Sequence, residues 1–154
     1  MKFVPAILYV LSWIFTYIIR HHYQYFSEAL FLSTLLIAVG IREIYSFYCN
    51  ALVSKQSAQT QLRPPSDYQR DLSFVNFGIG VTAIFSYFNP IFSFGVALVA
   101  VLFFLGLSIG HLLDLRNNKD ANIKNIAPLL ASDLLTGCTL MYCFWHMHNI
   151  TKIL

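Results

Sequence analysis

The chain has 154 residues, of which 57% are hydrophobic and 11% charged, with a formal net charge of +3. Ordinary globular domains carry about 25% charged residues, so this composition excludes a soluble domain of any size and leaves one membrane domain covering residues 1–154. The ten Lys and Arg are spread singly rather than gathered into a patch, which argues against nucleic acid as a partner; membrane lipids, through anionic headgroups, are a sufficient one.

Taken in chain order, five apolar runs at about 3–19, 29–47, 72–88, 91–113 and 126–145 approach or exceed the roughly 20 residues that cross a bilayer's hydrocarbon. The expected fold is all-α, an integral membrane helical bundle of five transmembrane helices, with spans two to five as a core four-helix bundle. Met1-Lys2 and the first run have the outline of a signal peptide. The run is too long, however, and ends in Arg20-His21-His22 with no small-x-small cleavage site, so it is expected to stay as the first span. Its strongly polar residues lie at its ends, which places it at the periphery.

The segment 54–71 is polar, contains Arg63-Pro64-Pro65-Ser66, and has no hydrophobic period. It is expected to be the one substantial loop and a partner-reading segment. Asn89-Pro90 breaks the third and fourth runs, with Pro opening a helix and Asn available to cap it, so those helices form an antiparallel hairpin. Arg116-Asn117-Asn118-Lys119-Asp120 has the composition of a turn. Seven Lys and Arg (Lys2, Lys55, Arg63, Arg70, Arg116, Lys119 and Lys124) fall on the side of the N-terminus, and two, Arg20 and Lys152, on the other. That asymmetry predicts a cytoplasmic N-terminus and an outside C-terminus.

The buried polar groups converge in depth. At about 1.5 Å of rise per residue, Arg42 and Glu43 in the second span, Asn76 in the third, His111 and Asp114 in the fourth and Asp133 in the fifth all fall in the cytoplasmic third of the membrane. An unpaired charge at helix-centre depth costs about 2.5–3.5 kcal/mol on insertion scales. Groups this numerous should therefore face one another, with Arg42 pairing with Asp133 or Glu43. Gly106 and Gly110 form a small-xxx-small stripe, Gly78 and Gly80 a matching thin surface, and Gly137 follows Asp133 by four residues, so these glycines are expected to set the helix packing.

Simpler roles compete with a functional one. Arg42 and Glu43 could snorkel to the interface, Asn76 could be interhelical glue, and His111 with Asp114 could finish a helix. Asp133 has the fewest such escapes, because a short carboxylate must pair, take a proton or meet water. His146 and His148 lie two apart and point to different helix faces; even with His21 and His22 on the same side they make a poor metal set, and no metal or other cofactor is expected. Cys49, Cys138 and Cys143 fall in or at the ends of spans and read as packing thiols rather than a disulfide framework. No catalytic triad, phosphate loop or metalloprotease motif is present, so no catalytic residue is assigned.

The run Arg70-Asp71-Leu72-Ser73-Phe74-Val75-Asn76-Phe77-Gly78-Ile79-Gly80-Val81, then Phe104-Leu105-Gly106 through Gly110-His111, Asn125-Ile126-Ala127-Pro128 and Ser132-Asp133-Leu134-Leu135 resembles a family of small bacterial polytopic membrane proteins, a domain of unknown function. The resemblance covers roughly Glu28 to the end of the fifth span. It implies a bacterial inner membrane and brings no activity with it. The family pattern has Glu where Asp71 stands and a His late in the second span, where this chain has Ser46-Phe47-Tyr48. A fainter likeness to DoxX-like proteins lies in layout alone. Three functions follow as expectations: an accessory or lipid- or small-molecule-binding bundle, alone or in a homo-oligomer or larger membrane complex; a proton-coupled transporter or pore acting as an oligomer, with Glu43 or Asp133 titrating; and an intramembrane enzyme using His111 as base, oriented by Asp114. The first is preferred.

Overall fold

A computed structural model describes residues 3–52, 67–117 and 123–151, with residues 67–70, 114, 117, 124–125 and 148–151 described by backbone alone. The described residues form five helices. Helix α1 is Val4–Ile19, continued by a 3-10 turn at Arg20–His22. Helix α2 covers 26–52 in four stretches: α-helical Phe26–Ser33, π-helical Thr34–Ile41, α-helical Arg42–Phe47 and π-helical Tyr48–Leu52. Helix α3 is Asp67–Phe88, α4 is Ser93–Asn117 and α5 is Ile123–Thr151. All five are long and apolar enough to cross a membrane, as a multi-pass membrane protein requires. The end of the bundle where α1 begins is called the near end below, and the opposite one the far end.

Helix α2 is the hub. It packs against α1, α3, α4 and α5, and 61% of its most apolar stretch is buried, against 39% or less in the other four. A helix hydrophobic all round belongs in such a central position. Leu30, Phe31, Leu35 and Val39 of α2 meet Phe104 of α4 and Leu140 and Cys143 of α5 in the apolar core. Rings tie the three helices together towards the far end: Phe94 lies 5.7 Å from Phe31 and 5.4 Å from Phe144. Against α3, Phe47 stacks on Phe77 at 4.9 Å. The eight-residue π-helical stretch is unusual, since π geometry occurs mostly as single turns and often at functional sites.

Helices α2 and α3 approach most closely through Gly40 and Gly80. A Cβ on Gly80 would stand 3.0 Å from both the Gly40 carbonyl oxygen and the Ile44 nitrogen, and one on Gly40 would stand 2.7 Å from Ile84 Cγ1. Of the expected packing glycines, Gly80 lies in this approach. Gly78, Gly106 and Gly110 are exposed, and added methyls at these positions or at Gly137 would meet nothing within 4 Å. The small-residue spacing of Gly106 and Gly110 is real, but it faces away from the described bundle, and no other described helix packs on it.

Other boundaries differ too. Helix α3 starts at Asp67, inside the segment assigned to a loop, and α5 starts at Ile123, so Pro128 lies within the helix instead of at its mouth. The hairpin between α3 and α4 turns through Asn89 (φ −134°, ψ 84°) and a 3-10 turn at Pro90–Phe92. Asn89 makes no side-chain cap there; its carbonyl accepts from the Phe92 N–H at 3.2 Å. Residues 54–66 of the polar loop and 118–120 of the short turn lie outside the described residues.

Helix α1 sits at the edge but is not passive. Its inward face is polar, with Ser12 and Thr16 fully buried, and the Tyr9 hydroxyl is 2.9 Å from Thr139 Oγ1 of α5. At the far end, burial first, then the neighbouring Tyr87, pushes the Tyr23 phenol above its ordinary pKa. A raised folded-state pKa contributes stability that is present below the unfolded value of about 10 and lost as pH rises through the folded value. The thermal midpoint should therefore fall on the alkaline side of that value, and Tyr23→Phe should flatten the fall; an unchanged alkaline limb in the variant would remove Tyr23 as its source.

Candidate functional site

The site is built around Arg42. The first α-helical residue after the π stretch, it is buried in the bundle with its neighbour Glu43. The guanidinium donates through an Nη to Asp133 Oδ1 of α5. Its Nε lies 3.4 Å from Glu43 Oε1, and its Cζ stands 4.5 Å from the centroid of the Phe104 ring of α4. A planar, delocalised cation over an aromatic face gains cation–π attraction that is strongest when both are desolvated. On the other side of Asp133, His111 Nε2 of α4 is 3.6 Å from Oδ2. Three helices thus contribute one guanidinium, two carboxylates, one imidazole and one ring to a single cluster.

Burial is uneven. The side chains of Glu43 and Asp133 are 2% and 0% exposed, whereas that of His111 is 26% exposed. His111 is the member that meets the surroundings, and it forms the rim of the cluster.

The hydrogen-bonding capacity is only partly used. Arg42 Nε and one of its Nη atoms, Glu43 Oε1 and Asp133 Oδ2 have no hydrogen-bond partner among the described residues. Buried polar groups are normally paired, because each unsatisfied one costs about 1–3 kcal/mol. Charge points the same way. One guanidinium offsets one carboxylate, and the second is offset only by a proton within the cluster or by a donor or cation brought from outside, since uncompensated charge in a dry interior is costly.

Of the six polar residues singled out in the sequence, the structure brings together Arg42, Glu43, His111 and Asp133. Asn76 is buried in α3 and its Oδ1 has no hydrogen-bond partner among the described residues. No hydrogen bond or ion pair joins it to the other four. The Asp114 side chain lies outside the described residues, as does that of His148. The described His, Cys, Asp and Glu residues include no group of three or more arranged to hold a metal. The three cysteines are free, two of them buried and Cys138 exposed. Phe104 was not legible as a site residue: in an unbroken apolar run nothing marks which ring will lie beneath a cation. The buried hydroxyls Ser108 and Thr136, one turn towards the far end from His111 and Asp133, also have no hydrogen-bond partner among the described residues. The i−3 and i+3 spacing to those two residues was the available signal.

Comparison with known proteins gives a match over residues 2–152 to a family described as "Family of unknown function (DUF6790)". No curated protein and no solved structure matches the chain.

Proposed function

The chain belongs to the DUF6790 family of unknown function, and from that premise we propose that it is a small membrane bundle that binds a lipid-like small molecule, the polar headgroup docking on the Arg42–Asp133–Glu43–His111 cluster. The observation that carries this reading is the combination of unused donors and acceptors on buried Arg42, Glu43 and Asp133 with a partly exposed His111 at the rim. A headgroup that both donates and accepts hydrogen bonds satisfies those atoms, while its apolar tail lies along the exposed face of the bundle. Lys and Arg asymmetry supports placing the near end, and with it the cluster, in the cytoplasmic leaflet of a cell membrane. The role is accessory or carrier-like, and a homo-oligomer or a larger membrane complex is the natural setting for a chain of this size.

The test is native mass spectrometry of the protein in mild detergent, before and after incubation with a lipid extract of the expression host. The wild type should carry a stoichiometric extra mass. His111→Ala and Asp133→Asn should lose it while remaining helical and monodisperse. A wild type that stays free of added mass in both conditions overturns the reading, as does a mass retained unchanged by both variants.

A further inference from the structure

Two groups stand out among the buried hydroxyls. Several donate to a backbone carbonyl of their own helix or of the turn leading into it: Ser12 to Tyr9, Thr16 to Ser12, Ser86 to Thr82, Ser93 to Pro90 and Ser132 to Leu129. This is the ordinary way a membrane helix hides a hydroxyl. Ser27, Ser33, Thr34, Ser108 and Thr136 do not; their oxygens are buried without a hydrogen-bond partner among the described residues. All five lie on α2, α4 and α5, the helices that build the charged cluster.

Their depths form a series. With about 1.5 Å of rise per residue and Arg42 level with Asp133, Thr136 stands about 4.5 Å towards the far end and Thr139 about 9 Å. Tyr9 shares the depth of Thr139, which it bonds. Thr34 and Ser33 lie about 12–13.5 Å out, Ser12 about 13.5 Å, Thr16 about 19.5 Å and Ser27 about 22.5 Å. Helices α1, α2 and α5 pack on one another, and each presents buried polar groups over that interval. Together these depths cover most of a hydrocarbon layer of about 30 Å, in steps of one helical turn or a little more. A hydroxyl both donates and accepts, and one bridging water spans two groups too far apart for a direct bond.

We propose that these groups face one another in a seam between α1, α2 and α5, that this seam carries protons between the far end of the bundle and Asp133, and that His111 passes them to the near end. Each transfer is a proton accepted on one lone pair and another released from the same oxygen, so every hydroxyl is left as it began. At Asp133 the proton meets Arg42 and Glu43 from α2 and His111 from α4; no charged group of α1 or α3 is in contact with it among the described residues. The second carboxylate makes room for one proton in the cluster at a time, and the partly exposed imidazole is the group placed to release it. This activity does not depend on a bound headgroup.

The test is proton flux into liposomes holding the full-length protein and a pH-sensitive dye, driven by a valinomycin-clamped potassium gradient. Wild type should acidify or alkalise the lumen well above protein-free liposomes. Thr136→Val and Thr34→Val, which keep the side-chain shape, and His111→Phe should each slow the flux at least ten-fold. Thr82→Val, exposed on α3 and bonded to its own helix, should leave it unchanged. Flux no faster than in protein-free liposomes overturns the proposal, and so do valine variants as fast as wild type. A protein that carries a bound mass but leaves the lumen unchanged loses this inference and keeps the headgroup reading; the opposite result does the reverse.

Discussion

Asp133→Ala is expected to lower the unfolding free energy by about 3–5 kcal/mol, the usual cost of breaking a buried ion pair by removing one partner. The loss is large because Arg42 keeps its charge when its principal acceptor goes. It remains between Glu43 and the Phe104 ring, with more unsatisfied donors than before. Denaturant titration in detergent, followed by helicity, checks it. The informative partner is Arg42→Met with Asp133→Leu, made in a Glu43→Gln background so that no carboxylate is left without its cation, which removes the charges and fills the space of the pair with apolar atoms. Replacing a whole buried pair in this way is often neutral or stabilising, so the combined variant should recover most of the loss. A combined variant as unstable as Asp133→Ala would mean that the pair itself holds α2 to α5. Recovery would mean that the bundle stands without it and that the charges serve binding or transfer.

The second large effect is steric. Gly80→Ala should destabilise by about 1–3 kcal/mol, the range for overpacking a close contact, because two of the atoms its methyl would meet, the Gly40 oxygen and the Ile44 nitrogen at 3.0 Å, are backbone. Neither yields unless α2 and α3 move apart. Gly106→Ala and Gly110→Ala, with open space around them, should instead be neutral or slightly stabilising, since Gly within a helix costs about 0.5–1 kcal/mol relative to Ala. Thermal midpoints of the three variants in one detergent decide it. Equal losses at all three would show that the exposed glycine stripe is also a packed surface.

These glycines mark the limit of what the sequence conveys. Small residues four apart reveal that a helix can be approached closely, not which side the approach comes from, so the pair at 106 and 110 stood out while the solitary Gly40 did not. The polar cluster was more legible because charge in an apolar run has few places to go: depth alone set Arg42 opposite Asp133 and brought His111 near. Asn76 shares that depth without joining the ion pairs, since depth does not specify the face a residue occupies. Serine and threonine carry almost no hydropathy signal, so the inward polar face of α1, with Ser12 and Thr16, was hidden in a span that looked uniformly apolar. Phe104 was invisible for a similar reason, its role being fixed by what lies above it.

The widened stretch at Thr34–Ile41 changes what one helix can offer. In a regular α-helix each residue turns the chain by about 100°, so the hydroxyls of the far half of α2 and the charges of its near half would be locked to a single angular schedule. Bonding from i to i+5 breaks that schedule between them. The two halves of the hub can then be aimed separately, and a substitution pattern that drifts in one half need not be matched by the other.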